Sequence, residues 1–198
     1  FTLSRQRLPM RPAYGYPDHN MRKSSVDLRP AVATLFLSCA VALGARADEA
    51  SLDSLFQTLK SADQAAARKV AREIELEWSK SGSASANLLY KRGETGLGEG
   101  KHSLAVEHFT GRTGHAPQFG GGWHGRARAF FALGEYGLAL SDLKQVLALT
   151  PRHFGAIYGL GTIMEQINKP EEAYDAYKIL LNLYPAHEKA QAAVERLE

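Results

Sequence analysis

Hydrophobic residues recur along residues 87–183 at the spacing of amphipathic helices, with polar residues between them. The pattern predicts first helices near 87–99, 121–133 and 155–167, and second helices near 103–114, 137–149 and 171–183. A proline follows each second helix, where it prevents the helix from continuing. We therefore predict three successive antiparallel helix pairs.

The helix pairs repeat with a period of 34 residues, and no insertion interrupts this period. Five sets of equivalent positions share it: Pro117, Pro151 and Pro185; Ala105, Ala139 and Ala173; Gly93, Ala127 and Gly161; Leu89, Trp123 and Ile157; and Phe109, Leu143 and Tyr177. Small residues on the first helix opposite alanine on the second allow the two helices to approach closely. One pair cannot bury its own apolar face, so the pairs are expected to stack.

Apolar residues on both sides of the repeats predict further helices that complete the stack. A degenerate N-terminal pair and its linker are expected in residues 48–85, on the pattern Leu52, Leu55, Phe56 and Leu59, followed by Ala67, Val70, Ala71, Ile74 and Trp78. Residues 188–198 are expected to form a capping helix with one apolar side and a charged outer side.

Residues 1–47 are predicted to lie outside the fold. Residues 1–20 contain three prolines and no apolar periodicity, and we interpret them as a non-native upstream extension. Residues 21–47 combine a basic start, an apolar stretch at 31–43 and small residues before the end, which together are typical of a secretory signal. We expect cleavage after Ala47 and export to the periplasm of a Gram-negative bacterium. The style of this leader is what suggests the bacterial source.

Three alternatives for the leader region are a buried core helix, an uncleaved anchor and a lipoprotein anchored at Cys39. The apolar stretch of 13 residues is shorter than the roughly 20 needed to span a membrane. Phe36, Leu37 and Ser38 are a poor match to the sequence that precedes a lipid-modified cysteine. We therefore favour the cleaved signal, which leaves no stable membrane span in the mature chain.

The net charge of +3 over 198 residues comes from the leader. Residues 48–198 contain 17 basic and 19 acidic side chains, which gives a net charge of −2. Because binding to phosphate backbones requires a concentrated basic surface, we do not expect nucleic acid as a partner. The one cysteine is also in the leader, so the mature chain is expected to fold without disulfides.

The sequence contains no recognisable catalytic, metal or cofactor motif. His102 and His108 are six residues apart, which does not place both on one helix face, and His153 and His187 are one repeat apart at equivalent corners, so the spacing does not favour a metal site. The six histidines that follow the leader are His102, His108, His115, His124, His153 and His187. The glycine-rich segment 96–100 has neither the preceding strand nor the following lysine-serine or lysine-threonine pair of a phosphate-binding loop. We predict a protein that is not an enzyme and has no cofactor; a weaker alternative is a peptidoglycan- or glycan-associated hydrolase.

The 34-residue pattern resembles the tetratricopeptide repeat family, with full units at 86–119, 120–153 and 154–187. The resemblance implies an all-α fold, a right-handed α-solenoid of antiparallel helix pairs. Two kinds of position depart from the family pattern. Arg92 and Arg126 replace a preferred leucine, and Arg112, Val146 and Leu180 replace a late alanine.

The resemblance also implies where a partner binds, because the first helices of such proteins line a concave groove. The fifth position of each unit points into it, at Tyr90, His124 and Tyr158, and the neighbouring groove positions are Asn87, Glu94, Arg128, Phe131, Thr162 and Glu165. Aromatic rings one repeat apart can contact an extended peptide or a helix. The alternative is that these rings pack against adjacent units.

These observations predict a noncatalytic protein-interaction module, a periplasmic adaptor or assembly factor that binds a protein or peptide ligand in its concave groove. The alternative is an accessory or regulatory subunit of an envelope enzyme complex, held through a permanent interface. The paired lysines and asparagines with which some family members bind acidic C-terminal peptides are absent, so such a peptide is not the expected ligand.

Overall fold

A computed structural model describes residues 50–198, and every regular element within that range is an α-helix. Helix α1 covers 50–61, and it is followed by α2 (Gln64–Ser79), α3 (Ala84–Gly98), α4 (His102–His115), α5 (Gly120–Ala132), α6 (Tyr136–Leu149), α7 (Phe154–Gln166), α8 (Pro170–Leu183) and α9 (Glu188–Leu197). The predicted extension and signal lie outside the described residues. The expected all-α architecture of stacked helix pairs is confirmed.

The turns within the three pairs use one geometry, repeated every 34 residues. Left-handed backbone conformations occur at Gly100, Gly134 and Asn168, with φ values of 71°, 78° and 58°. The next residue closes each turn with a bond of 2.8–2.9 Å to a carbonyl five residues back, from Lys101 to Gly96, Glu135 to Phe130 and Lys169 to Met164. Glycine and asparagine tolerate this conformation, so they reverse the chain tightly between antiparallel helices.

Close approach between α3, α4 and α5 depends on two glycines that lie on either side of one ring. Phe109 is fully buried, and a Cβ atom placed on Gly93 would lie 2.6 Å from its Cζ. Gly125 of the next pair faces the same ring at similarly short range. The third pair repeats half of this arrangement, with Gly161 against the ring of Tyr177. The small residues in the sequence pattern are therefore steric requirements of the stack.

Arg126, a departure from the family pattern, joins the two helices of the middle pair. Its Nε and Nη2 donate to the two carboxylate oxygens of Asp142 at 2.7 and 2.8 Å, and both side chains are largely buried. The guanidinium also lies 4.8 Å from the centre of the Trp123 ring. A bidentate ion pair thus replaces the apolar contact that a leucine would make.

The N-terminal helices α1 and α2 form the predicted helical pair, and they join the core of the last repeats. Ile74 of α2 and Leu59 of α1 are fully buried in a cluster that also contains Phe154, Tyr184 and Val194. This cluster connects residues at the start of the described chain to residues near its end. The pair therefore lies against the solenoid near α7–α9, although the chain leads from it directly into α3.

Helix α9 closes the C-terminal end of the stack, as predicted. Ala190, Ala193 and Val194 are buried, while Glu195 and Arg196 are exposed. At its start, the Nδ1 atom of His187 accepts a bond from the Ala190 amide at 3.1 Å. His153 makes the same cap one repeat earlier. None of the described helices is both long enough and apolar enough to cross a membrane.

Candidate partner-binding groove

A cavity of about 840 Å³ lies between α2 and the first helices of the three repeats. Six of the nine sequence-predicted groove residues line it: Glu94, His124, Arg128, Phe131, Tyr158 and Thr162. They come from α3, α5 and α7, so the repeat places equivalent helix faces on one side of the molecule. The wall also includes the start of α9, through His187, Glu188 and Lys189.

The opposite wall of the cavity comes from α2, which is not among the groove helices predicted from the sequence. Arg68, Ala71, Arg72 and Glu75 face the cavity from this helix. Their spacing of three and four residues marks one helix face. This face could be recognised in the sequence, but the pattern did not indicate which surface of the solenoid it covers.

Two of the three predicted rings pack against the histidine that caps the start of the next first helix or of the capping helix. The ring centre of His124 lies 4.5 Å from that of His153, and the ring centre of Tyr158 lies 5.1 Å from that of His187. Both rings are half-buried and line the cavity. Burial, together with the nearby His153 and Arg128, holds the pKa of His124 well below its ordinary value. His124 is therefore a neutral groove residue at pH 7.

Tyr90, the third predicted ring, packs inside the first pair and is not part of the cavity lining. Its ring meets Phe109 edge-on at 5.8 Å, and the guanidinium of Arg112 lies 4.6 Å from its centre. Burial raises the pKa of its hydroxyl to about 12. Glu94 also raises this pKa, so Tyr90 lies near the groove without forming its wall.

Asn87 and Glu165, the other two predicted residues outside the lining, are engaged in contacts within the chain. Ser81 Oγ donates to Asn87 Oδ1 at 2.8 Å, which ties the linker after α2 to α3. Glu165 accepts from the Tyr177 hydroxyl and pairs with Arg196, each at 2.7 Å. The bond from Arg196 is the largest cause of the lowered pKa of Glu165.

Charges of both signs lie around the cavity. Arg128 donates to Glu94 at 2.8 Å, between positions one repeat apart. Arg68 of α2 pairs with Glu188 at the start of α9, also at 2.8 Å. Arg72 and Glu75 add one further charge of each sign. The groove thus combines ring edges with paired charges, which suits a ligand that carries apolar and charged side chains together.

Within residues 50–198, no three histidine, cysteine or carboxylate side chains come together as a metal site would require. The groove contains side chains that can bind by hydrogen bonds, charge and apolar contact.

Comparison with known proteins identifies the architecture. The sequence model of the tetratricopeptide repeat family matches residues 130–197. A TPR repeat-containing protein of Rhizobium etli is 35% identical over 147 residues, which cover 74% of this chain and 72% of that protein. The chain belongs to the tetratricopeptide repeat family.

Solved tetratricopeptide structures agree with this assignment. The first TPR domain of human RPAP3 is 26% identical, with a TM-score of 0.55, and covers 57% of this chain and 89% of its own. The first TPR of Spaghetti, bound to the HSP90 peptide SRMEEVD, is also 26% identical, with a TM-score of 0.56, and covers 58% of this chain and 91% of its own. The tetratricopeptide fold supports a protein-interaction module.

Proposed function

We propose that this tetratricopeptide protein is a noncatalytic adaptor or assembly factor that binds a peptide or helix in its concave groove. The observation that carries the proposal is the cavity of about 840 Å³, whose walls contain side chains from three successive repeats. Cavities of this size, lined by apolar groups and a few polar ones, are typical of binding sites.

The mixed charges of the groove favour a particular kind of ligand. The related Spaghetti domain binds a peptide that ends in acidic residues. In this chain three glutamates lie among the four cationic side chains of the groove wall, so the wall lacks the uniformly basic character that suits a strongly acidic peptide. A ligand with an apolar face and charges of both signs matches these walls better.

The proposal includes export to the periplasm, with removal of residues 1–47. The support is the order of basic, apolar and small residues along 21–47. Intact mass spectrometry of protein from the periplasmic fraction should give a chain that begins at Asp48. A recovered chain that retains Met21 would contradict export by a cleaved signal.

Cross-linked capture compared between two variants tests the groove. The groove variant carries Arg128→Ala and Tyr158→Ala, which remove one exposed and one half-buried side chain from the cavity wall. The matched variant carries Arg92→Ala and Tyr174→Ala, the same two residue types outside the cavity lining. Both should retain the helical circular dichroism of the parent.

Loss of one dominant partner from the groove variant alone would support the adaptor. Its retention there, with loss from the matched variant, would favour the alternative of an accessory subunit with a permanent outer interface. A second depression favours that alternative, because Arg92 lines it together with the exposed Leu88 and Leu104 of the first pair. Retention by both variants would contradict both assignments.

A further inference from the structure

We propose that α1 and α2 form an internal ligand of the concave groove, and that the external partner is an amphipathic helix of the same chemistry that displaces them. This inference rests on the proposed function, because it names the kind of ligand that the groove binds. It starts from the position of α2, whose side chains form one wall of the cavity.

Contacts at both ends of α2 place it across all three repeats. Near its start, Arg68 pairs with Glu188 at the beginning of α9. At its end, the carbonyl of Ser79 accepts from Arg112 Nη2 of α4 at 3.0 Å. A helix of 16 residues is about 24 Å long, which is enough to span this distance. Helix α2 thus lies where a ligand helix would lie.

Trp78 is an aromatic anchor of α2 on the solenoid. Its ring stacks on the buried His153, with centres 4.3 Å apart and planes 18° apart. It also contacts Phe154 at 5.1 Å and Phe56 of α1 at 6.0 Å. An aromatic residue seated against rings of the receptor is a typical hot spot of helix recognition.

Two ion pairs at the surface hold the helices in place only weakly. Arg68 and Glu188 are about half exposed, as are Asp53 of α1 and its partner Arg152. Exposed ion pairs of this kind contribute less than about 1 kcal/mol each. Most of the specificity of docking therefore comes from the apolar stripe that ends in Trp78.

The connection to α3 lets α1 and α2 detach without unfolding the repeats. It consists of Lys80, Ser81, Gly82 and Ser83, and Gly82 has a φ of 68° with open space around its Cα. A tether this short keeps the two helices at a millimolar effective concentration near the groove. An external helix must therefore compete with a tethered one.

Arg112 shows that the repeats are adapted to this occupant. At the family's late alanine position it is fully buried, and it donates to the last carbonyl of α2 and to the Ala86 carbonyl of α3. A cation at a helix C-terminus is favourable because the free carbonyls carry partial negative charge. The departure from the family pattern thus receives a structural role.

The experiment uses the full chain and a fluorescent peptide with the sequence of residues 63–80. Fluorescence anisotropy measures its affinity for the parent chain and for a Trp78→Ala chain. We expect weak binding to the parent, because its own helices occupy the groove. We expect at least tenfold tighter binding to Trp78→Ala, whose internal competitor is weakened while the groove is unchanged.

Two controls make the result specific. Leu76 lies on the same helix and is 58% exposed. Leu76→Ala should therefore leave the peptide affinity unchanged. A peptide that itself carries Trp78→Ala should bind none of the chains. Equal affinity of the native peptide for the Trp78→Ala chain and the parent would overturn the proposal.

A second variant covers the case in which Trp78→Ala fails to fold. Eight glycine and serine residues inserted after Lys80 leave the bond between Ser81 and Asn87 in place and lower only the effective concentration of the tethered helices. We expect a twofold or greater gain in peptide affinity, and the absence of a gain would overturn the proposal. A Trp78→Ala chain that binds no peptide and sediments as a dimer would also overturn the proposal, since this result would assign the groove to a second copy of the chain.

These outcomes separate the inference from the proposed function. If the peptide never binds but the groove variant still loses its captured partner, α1 and α2 are fixed parts of the groove and the adaptor role stands. If the peptide binds as expected but the captured partner is retained, the displaceable helices stand and the adaptor role at this groove fails.

Discussion

The ring of Phe109 fits between Gly93 of its own pair and Gly125 of the next pair. Replacement of Gly125 by alanine would place a methyl carbon closer to Cε1 of the ring than van der Waals contact allows. Overpacking of this kind costs about 1–3 kcal/mol, and at so short a distance we expect a cost above the roughly 1 kcal/mol that alanine gains over glycine in a helix. We expect Gly125→Ala to lower the free energy of unfolding measured with urea.

Gly137 of α6 provides the matched control for this substitution. It is exposed, and a Cβ atom there would meet nothing within 4 Å. Gly137→Ala should leave the stability unchanged or raise it slightly. If both substitutions have the same effect, the contact with Phe109 does not limit the spacing of the first two pairs.

A buried histidine makes the stability of the fold depend on pH. Burial lowers the pKa of His153 to about 4, whereas an unfolded histidine titrates near 6.5. Between these values the unfolded chain binds more protons, so stability is full above pH 6.5 and is lost as the pH falls towards 4. The loss attributable to His153 is about 3 kcal/mol.

Urea titrations at pH 7 and pH 4.5 would measure this loss. In His153→Asn the side chain can still cap α7 but does not titrate, so the difference between the two pH values should shrink. His124 has a lowered pKa as well and should account for part of the remaining difference. An unchanged pH difference in His153→Asn would exclude His153 as its source.

At the scale of helices, the sequence allowed most of the solenoid to be predicted because its signals are local. The apolar positions, the prolines and the small residues recur within each 34-residue unit. The helices α3–α8 begin and end within three residues of the predicted bounds. Their stacking follows because each pair leaves an apolar face to cover.

The position of α2 could not be predicted in this way. Its apolar stripe is the same whether the helix extends the stack or lies along the groove. The contacts that decide between these two positions, such as that of Trp78 with His153, join residues 75 positions apart. This separation is not a multiple of the 34-residue period. The role of Arg112 could not be predicted for the same reason. In the sequence it is only a departure from the family pattern, since its partners lie in α2 and α3.

The ion pair between Arg126 and Asp142 allows a test at the scale of one helix pair. Side-chain exposure is 16% for Arg126 and 5% for Asp142. Removal of one partner from a buried pair leaves the other charge without compensation and costs about 3–5 kcal/mol. We expect Asp142→Ala to lower the urea midpoint strongly.

The exposed pair between Lys80 and Glu77 serves as the control. Glu77→Ala should change the stability by less than about 1 kcal/mol. A small effect of Asp142→Ala, similar to that of Glu77→Ala, would mean that the buried pair does not hold α5 to α6.

At the scale of the whole molecule, the buried cluster of α1 and α2 joins the first described helices to the last ones. Phe56 belongs to this cluster with Phe154 and Tyr184, and the Arg152 guanidinium lies 4.4 Å from its ring centre. The chain continues from α2 directly into α3. Proximity along the sequence therefore predicts that a change in α1 or α2 affects α3 and α4, whereas contact in space predicts that it affects α7–α9. Amide hydrogen exchange distinguishes them, because local opening follows cooperative units of structure.

We expect Phe56→Ala, a cavity-forming change that costs about 3–5 kcal/mol, to speed amide exchange in α7–α9 more than in α3–α4. The reason is that α1 and α2 cover apolar residues of the last repeat, whereas α3 and α4 hold Phe109 and Ala105 in a separate buried cluster. Leu138→Ala, at a residue 49% exposed on α6, is the control and should leave both regions unchanged. Faster exchange mainly in α3–α4 would instead show that the linker, and not the shared core, couples the N-terminal helices to the solenoid.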